Sequence, residues 1–173
     1  FPARFILVAS MNPCPCGYLG DPKHVCKCSP AQVEKYMSKI SGPLLDRIDL
    51  HVEVPAVSFS ELSASADGTD SRTMREQVRR ARAVQAERFG SGDALNSRMT
   101  PRQLRRFCSL SAEGRKLLQC AMDELGLSAR AHDRILKMAR TIADLDQSPD
   151  IQVAHLSEAI GYRNLDRRLW VKN

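Results

Sequence analysis

The sequence predicts a mostly helical chain whose first third is the end of a larger α/β domain. Two short apolar segments in that third have the patterns of β-strands, and several helical segments follow from about Arg72. Residues 5–9 form a continuous apolar run, which is typical of a buried strand, and Pro13 cannot continue it. Two strands do not form a stable parallel sheet by themselves, so we expect the rest of the sheet to come from a longer protein.

The second strand is predicted at residues 48–54, where apolar and polar side chains alternate and leave one wet face. Before it, residues 13–30 hold four Pro, two Gly and four Cys, a composition that predicts an irregular loop. Ser29 and Pro30 then supply the start of a helix that continues to about Ile40, and residues 41–43 (Ser-Gly-Pro) are expected to break it.

Small polar residues at 63–71 predict a linker and a domain boundary. The helices that follow are recognised by their capping residues, by Gly at their ends and by apolar residues at helical spacing. The first of them has a thin apolar stripe made of Met74, Val78, Ala81 and Val84. The predicted helices cover about 72–89, 101–108, 111–125, 128–145 and 153–162.

Positive charge is concentrated in one part of the chain. The 173 residues carry a net charge of +6, from 26 Lys and Arg against 20 Asp and Glu. Residues 72–106, here called the Arg-rich segment, contain ten Arg, no Lys and three acids, a local charge of +7. This asymmetry suits a surface that faces phosphates, and the alternative is a solvated helix face. The candidate DNA-binding residues are Arg79, Arg80, Arg82, Arg102, Arg105 and Arg106.

The sequence argues against a membrane-spanning, secreted or fibrous protein. Its longest apolar run, residues 5–9, is far too short to cross a bilayer. Its first four residues have neither the initiator Met nor the basic region of a signal peptide. We therefore expect a cytoplasmic protein with no membrane partner. Because the chain begins with Phe1 instead of Met, we also expect it to be part of a longer protein.

The most specific local motif is a cluster of cysteines, here called the thiol cluster. Without a secretion signal, free thiols or metal ligands are expected in preference to disulfides, and four thiolates suit a tetrahedral structural Zn²⁺ site. The spacing is tighter than the common C-x₂₋₄-C, so the alternative is a reduced loop stiffened by Pro and prone to oxidation. The remaining cysteines, Cys108 and Cys120, are expected in the core. The cluster consists of Cys14, Cys16, Cys26 and Cys28, two C-x-C pairs joined by nine residues.

The sequence has no motif for independent nucleotide binding: G-x-x-x-x-G-K-[ST] is absent, and no apolar run of four or more residues ends in Asp-Glu. Three candidate site residues remain at predicted element ends. Asn12 follows a strand, where ligands collect in α/β sheets. Arg47 lies between a helix and a strand, and Arg130 lies in a first helical turn, where a bound anion would offset the unfavourable dipole. The alternatives are a turn residue for Asn12, an ion pair with Asp46 or Asp49 for Arg47, and a solvated side chain for Arg130.

Taken together, three stretches resemble a known family. They are residues 12–17 (Asn-Pro-Cys-Pro-Cys-Gly), residues 41–55 (beginning Ser-Gly-Pro-Leu-Leu-Asp-Arg-Ile-Asp-Leu) and residues 128–140 (beginning Ser-Ala-Arg-Ala-His-Asp-Arg-Ile-Leu). In these stretches the chain is similar to the magnesium-chelatase-like AAA+ ATPases, and within them to the bacterial competence-associated, ComM-like branch. The resemblance covers nearly the whole chain but only the C-terminal part of such a protein.

The resemblance implies roles for the three candidates. Asn12 would be the sensor 1 residue that orients a water against the γ-phosphate, Arg47 the arginine finger that reaches the neighbouring subunit's nucleotide, and Arg130 the sensor 2 residue that binds nucleotide from the lid. It also implies an α/β AAA+ core remnant followed by a mainly α-helical lid domain. The implied divisions are the end of the ATPase core (1–57), a linker with a long helix (58–97) and the lid (98–173).

The resemblance further implies ATP and Mg²⁺ as cofactors of the parent protein, a hexameric ring and a DNA partner for ATP-driven branch migration. The P-loop and Walker B carboxylates would precede Phe1, so the chain by itself is expected to be inactive. The two predicted strands would not pair with each other, and residues 1–57 are expected to be poorly ordered without the rest of the protein. The alternatives are a chelatase-type subunit and a non-enzymatic module that binds DNA or a partner.

Overall fold

The computed structural model describes residues 5–55, 57, 63 and 68–163, and these residues are mostly helical and contain no strand. None of the described helices is long and apolar enough to cross a membrane. A 3₁₀ turn at Asn96–Arg98 precedes α4. The helices are α1 (Pro30–Met37), α2 (Gly42–Leu45), α3 (Ser71–Phe89), α4 (Pro101–Phe107), α5 (Ala112–Leu125), α6 (Ala129–Leu145) and α7 (Val153–Gly161).

Most helices begin where the sequence predicts, because capping side chains satisfy their first backbone N–H groups. Thr100 and Gln103 form a reciprocal capping box at α4, and Ser29 does the same with Gln32 at α1. Ser128 Oγ accepts a bond of 3.2 Å from the Ala131 N–H at α6. Left-handed glycines end two helices, Gly90 after α3 and Gly126 after α5. The predicted helices from residue 71 onward are therefore confirmed to within about two residues.

The core lies between α6 and the helices around it. α6 packs against α3, α4, α7 and the 3₁₀ turn, and α7 also packs against α5. Cys108 is part of this core as expected, whereas Cys120 is exposed and the prediction for it is wrong. The fully or nearly fully buried residues of the core are Met99, Leu104, Cys108, Leu118, Ile135, Leu136, Ala139, Ala143, Ile151, Leu156 and Ala159.

The first half of α3 extends beyond this core. Every residue from Ser71 to Arg80 is exposed, and burial begins at Ala81 and Gln85. Met74 and Val78, predicted as part of an apolar stripe, are 50% and 54% exposed. The stripe therefore packs only in its C-terminal half, where α3 meets α6.

A buried carboxylate joins α3 to α6. Asp144 is fully buried and receives two bonds from the Arg88 guanidinium, one of them 2.7 Å long. Arg140 donates to the same carboxylate from one helical turn away, at 3.0 Å, and Asn96 Nδ2 donates to it at 2.7 Å. Arg88 therefore belongs to the protein's interior, and the other nine arginines of the Arg-rich segment are exposed.

The two predicted strands are not confirmed. Residues 5–10 have no regular structure, and Phe5, Ile6, Leu7 and Val8 are 76%, 92%, 62% and 89% exposed. Residues 48–54 also lack strand structure. The physical reason is that a strand exists only through hydrogen bonds to a neighbouring strand, and the described residues supply no such neighbour.

The region before residue 55 differs from expectation in two further places. The helix predicted to reach Ile40 ends at Met37. The Ser-Gly-Pro stretch at residues 41–43 was expected only to break a helix, but it begins the short helix α2. Proline suits the first turn of a helix, because its fixed φ is helical and the first N–H groups have no intrahelical partner.

The Asp144 cluster gives a stability prediction. Asp144→Ala is expected to lower the free energy of unfolding by about 3–5 kcal/mol, because it leaves two buried guanidinium groups without their counter-charge. Urea denaturation followed by circular dichroism measures the change. The matched control is Asp123→Ala, which removes an exposed carboxylate on α5 and should cost less than about 0.5 kcal/mol. Equal effects of the two substitutions would contradict the prediction.

Candidate functional site

Residues 41–51, here called the Arg47 segment, are held against the start of α6. Ser128, the N-cap of α6, donates its hydroxyl to Asp46 Oδ1 at 2.9 Å. Six residues further along α6, Arg134 donates to the carbonyl oxygen of Arg47 at 2.7 Å and pairs with the carboxylate of Asp49. Asp46 and Asp49 thus bind α6 on either side of Arg47.

The end of α7 supports the same segment from a second direction. The His51 N–H donates to the carbonyl oxygen of Tyr162 at 2.9 Å. The guanidinium of Arg163, which is fully buried, donates to the carbonyl oxygen of Ile48 and lies 3.9 Å from Asp46 Oδ1. Contacts separated by 82 to 115 residues in sequence therefore fix the backbone around Arg47.

The side chain of Arg47 itself is exposed. Its Nη1 donates to the carbonyl oxygen of Pro43 at 2.7 Å, one turn back in α2. The ion pair with Asp46 or Asp49 that the sequence offered as an alternative is not the observed arrangement, because Ser128 and Arg134 engage those carboxylates. The Arg47 guanidinium therefore lies at the surface, while residues of α6 and the end of α7 hold its backbone.

Arg130 lies in the first turn of α6, two residues after the Ser128 N-cap, and is exposed. It precedes Arg134, which holds the Arg47 segment, by one helical turn. The N-terminal end of α6 therefore carries Arg130 and anchors the segment that carries Arg47. A helix N-terminus has partial positive charge, and the exposed guanidinium of Arg130 at that end suits an anionic ligand such as a phosphate group.

Asn12 belongs to a different part of the structure. It is exposed, and its side chain lies beside Gly17: a Cβ placed on Gly17 would be 3.9 Å from Asn12 Nδ2. Gly17 follows Cys16 and Asn12 precedes Cys14 by two residues, so Asn12 lies next to the thiol cluster in the chain. The structure thus groups Arg47 with the α6 end that carries Arg130, and groups Asn12 with the four cysteines.

The thiol cluster brings its four sulfur atoms within 4.8 Å of one another. The Sγ–Sγ distances are 3.4 Å for Cys14–Cys16, 3.7 Å for Cys14–Cys26 and 3.6 Å for Cys16–Cys26. All four cysteines are free thiols, and Cys14 is fully buried. The spacing in sequence, two C-x-C pairs with a connection that folds back, therefore produces one compact group of sulfur ligands.

The thiols differ in acidity because their surroundings differ. Backbone N–H groups of Tyr18 and Lys27 donate to the sulfur of Cys16 and lower its pKa to about 6. Desolvation, followed by the neighbouring thiol of Cys16, raises the pKa of Cys28 to about 12. The thiolate form is thus favoured first at Cys16, where the backbone donors converge.

The Arg-rich segment presents guanidinium groups on α3 and α4. All six of the arginines proposed for DNA contact are exposed. Arg80 pairs with Glu76 on its own helix at 3.4 Å, and Arg106 lies over the ring of Phe107 at 5.0 Å. Phe107 in turn packs edge-on against Phe89, with ring centroids 5.6 Å apart. This aromatic contact joins the end of α3 to the end of α4, so both sets of arginines belong to one body.

Comparison with protein families decides the relationship. Residues 68–163 match the family model described as magnesium chelatase, subunit ChlI C-terminal, and residues 1–62 match the model described as magnesium chelatase, subunit ChlI. The chain belongs to the magnesium chelatase family. Both the thiol cluster with the Arg47 segment and the helical body therefore lie within regions that the magnesium chelatase models describe.

Three curated proteins illustrate which members of the magnesium chelatase family are similar. The chain is 42% identical over 170 residues to the competence protein ComM of Haemophilus influenzae and 43% identical over 171 residues to YifB of Escherichia coli. A Mycobacterium tuberculosis protein is 36% identical over 169 residues. These alignments cover 98%, 98% and 97% of the chain but 32%, 33% and 33% of the relatives, so the chain spans about a third of their length.

Sequence reasoning missed the residues that hold the Arg47 segment. Arg134 and Arg163 are single arginines in helical or helix-terminal positions, and each binds a backbone carbonyl that is 87 or 115 residues away. The one available signal was that Arg134 lies four residues after Arg130 and thus on the same face of the helix. The identity of its partners was not readable from any local pattern.

These contacts give a prediction for local dynamics. Arg134→Ala is expected to speed amide hydrogen exchange at Ile48 and His51 by about two- to tenfold, because losing one net hydrogen bond costs about 0.5–1.5 kcal/mol. Hydrogen-exchange mass spectrometry of the full chain measures it. Arg130→Ala, one turn earlier on the same helix, is the control and should leave both amides unchanged. Identical exchange in the two variants would show that Arg134 does not hold the segment.

Proposed function

We propose that this chain is the end of the ATPase core and the helical lid of a hexameric AAA+ ATPase. The full protein would couple ATP hydrolysis to DNA remodelling, specifically branch migration in recombination or natural transformation. The observation that carries the proposal is the match to the magnesium chelatase family over both parts of the chain. The family relationship supports an AAA+ ATPase-related role, and one similar relative is named as a competence protein.

The nucleotide-binding part of the proposal assigns three roles. Arg47 would act as the arginine finger, donating to the developing charge on a phosphoryl group held by the next subunit. Arg130 would bind phosphates from the lid as sensor 2, and Asn12 would orient a water as sensor 1. The exposure of all three side chains supports these roles, because each would have to reach a ligand.

ATP and Mg²⁺ fit this chain only in part. Its exposed arginines suit phosphate oxygens, whereas the glycine-rich P-loop motif is absent from its sequence. When bound, Mg²⁺ would neutralise phosphate charge during transfer. We propose that the remainder of the parent protein holds most of the nucleotide, while this chain contributes cationic and amide groups around it.

The placement of Arg47 supports a role between subunits. Its guanidinium is exposed, and its backbone is held by α6 and α7 through Arg134 and Arg163. A finger must keep its position while the neighbouring subunit reacts, since misplacement by about 1 Å costs about a hundredfold in rate. The lid of the same subunit would thus set where Arg47 lies.

The division into a linker (58–97) and a lid (98–173) stays a prediction. The C-terminal half of α3 packs against α6 and shares the Asp144 cluster with it. Those contacts favour a helical unit that includes the last turns of α3. The exposed first half of α3, Ser71 to Arg80, would then be the connecting element.

The Arg-rich segment supports DNA as the substrate over a chelatase-type role. Its exposed arginines are suited to phosphate contacts, which supply most of the salt-dependent affinity for DNA. A chelatase-type subunit, which assists metal insertion into a porphyrin, is the alternative within the family. A non-enzymatic module is the alternative outside it, and DNA binding by the isolated chain without nucleotide would favour the module.

The arginine-finger role predicts a specific kinetic defect. In the full-length protein, Arg47→Ala is expected to lower the ATPase rate by about 10³–10⁵-fold, because a finger acts on the transition state. Nucleotide affinity and ring assembly should change little. Steady-state ATPase assays, nucleotide binding and native mass spectrometry measure the three quantities separately.

The control for Arg47 is Arg115→Ala, which removes another exposed arginine that also donates to a carbonyl of its own chain. It should leave the ATPase rate unchanged. The 173-residue chain alone is expected to show no turnover above the blank. Normal hydrolysis by the Arg47 variant would return that residue to a purely structural role.

The DNA-binding role predicts a change in salt dependence. The double variant Arg79→Ala, Arg105→Ala removes one arginine from α3 and one from α4. It is expected to reduce the steepness with which the logarithm of the DNA association constant falls with the logarithm of salt concentration by about 2, because each phosphate contact contributes about 0.9 to that slope. Fluorescence anisotropy with duplex DNA in the full-length protein measures it. The control pair, Arg115→Ala with Lys116→Ala on α5, makes the same change in net charge. Equal slopes for the two double variants would contradict the proposal that α3 and α4 contact the DNA phosphates.

A further inference from the structure

We propose that Cys14, Cys16, Cys26 and Cys28 form a structural site for one zinc ion. The inference goes beyond the proposed ATPase function, and the metal site itself does not depend on that function. It follows from the arrangement of the four sulfur atoms and of the backbone around them.

The sulfur atoms have the spacing that a single ion requires. A tetrahedral ion with bonds of about 2.3 Å to sulfur places its ligands about 3.8 Å apart. The three measured separations among Cys14, Cys16 and Cys26 are 3.4, 3.7 and 3.6 Å, and Cys28 completes a group within 4.8 Å. The thiols therefore surround a common centre.

The donor set selects the metal. Four sulfur ligands in a compact tetrahedral group suit Zn²⁺ or iron, whereas Mg²⁺ and Ca²⁺ require oxygen ligands. A cluster of several irons spreads its cysteine ligands farther apart than a single ion does, so the short separations favour one ion. Each thiol would bind as thiolate and release its proton to solvent. With no redox change in the metal or protein, the site would be structural.

A tight backbone turn brings the first two cysteines of the cluster together. The N–H of Gly17 donates to the carbonyl oxygen of Cys14 at 3.0 Å. Gly17 has a φ of +82°, a conformation that favours glycine, and it turns the chain back immediately after Cys16.

The same turn connects the proposed site to Asn12. A Cβ on Gly17 would lie 3.9 Å from Asn12 Nδ2, so the Asn12 side chain lies beside the glycine that follows the proposed ligand Cys16. Because metal binding orders a loop of this kind, zinc would fix the position of Asn12. This consequence rests on the proposed sensor 1 role, whereas the metal site does not.

Elemental analysis tests the site directly. The 173-residue chain is purified under reducing conditions with neither a histidine tag nor added zinc. About one zinc per chain is expected, and Cys26→Ser should lower the zinc content by about tenfold or more. Cys120→Ser, an exposed cysteine outside the cluster, is the control and should retain full metal. Circular dichroism of the helical body verifies that each variant is folded.

Thiol reactivity and cobalt substitution give independent readings. In the zinc-loaded chain the four cluster thiols should react slowly with a thiol reagent and become reactive after a chelator is added. Co²⁺ in place of zinc should give the absorption of a tetrahedral cobalt–thiolate centre. Freely reactive thiols without metal would overturn the site, and so would iron in place of zinc or full zinc retention in folded Cys26→Ser.

The full-length protein separates the metal site from its consequence for Asn12. If zinc fixes Asn12, Cys26→Ser should lower both the zinc content and the ATPase rate, while nucleotide affinity is kept. Loss of zinc with normal ATPase would keep the metal site and refute the link to Asn12. The ATPase rate of Arg47→Ala tests the proposed function separately. The zinc site can therefore fail while the proposed function holds, and the proposed function can fail while the zinc site holds.

Discussion

The carboxylate of Asp144 is the point on which the helical body depends. It is fully buried, and it accepts hydrogen bonds from Arg88 of α3, from Arg140 of its own helix and from Asn96 before α4. Burying one carboxylate costs several kcal/mol unless every lone pair is satisfied. Three donors from three elements meet that requirement only when the elements lie in one relative arrangement, so the cluster specifies how α3, the 3₁₀ turn and α6 come together.

The opposite end of α6 has a comparable role toward the N-terminal part. Ser128 caps the helix by accepting from the Ala131 N–H and also donates its hydroxyl to Asp46. Arg134 adds a bond to the Arg47 carbonyl. One helix therefore forms the centre of the core at its C-terminal half and supports the Arg47 segment at its N-terminal half. Any movement of α6 must therefore be shared by the core of the helical body and by the Arg47 segment.

The thiol cluster lies in a part of the chain whose described residues form almost no hydrophobic core. Leu19, Val25 and the apolar run at residues 5–8 are exposed, and the loop's compactness comes from tight turns and sulfur contacts. Loops of this kind gain stability when a few strong bonds replace a missing core. The region beside Asn12 thus relies on local chemistry, in contrast to the helical body, which relies on packing and on one buried ion cluster.

The sequence by itself determined the helices after residue 70, because their caps, glycines and apolar spacing are local signals that act within one or two turns. It also identified the four cysteines as one group, since their spacing is short enough for a loop to close. The positions of Asn12, Arg47 and Arg130 at predicted element ends made them candidates, and the family resemblance gave each a proposed role.

Only the tertiary structure decided which charged residues are internal and which are at the surface. Arg88 and Arg79 look alike in sequence, yet Arg88 binds Asp144, 56 residues away, whereas Arg79 is exposed. Arg134 supports the Arg47 segment because it donates to the Arg47 carbonyl oxygen, which lies 87 residues earlier in the chain. The two apolar segments of the first third did not become strands, since strand structure requires a neighbouring backbone. Local patterns fix local conformation, whereas long-range partners depend on how the elements pack, which no short stretch of sequence encodes.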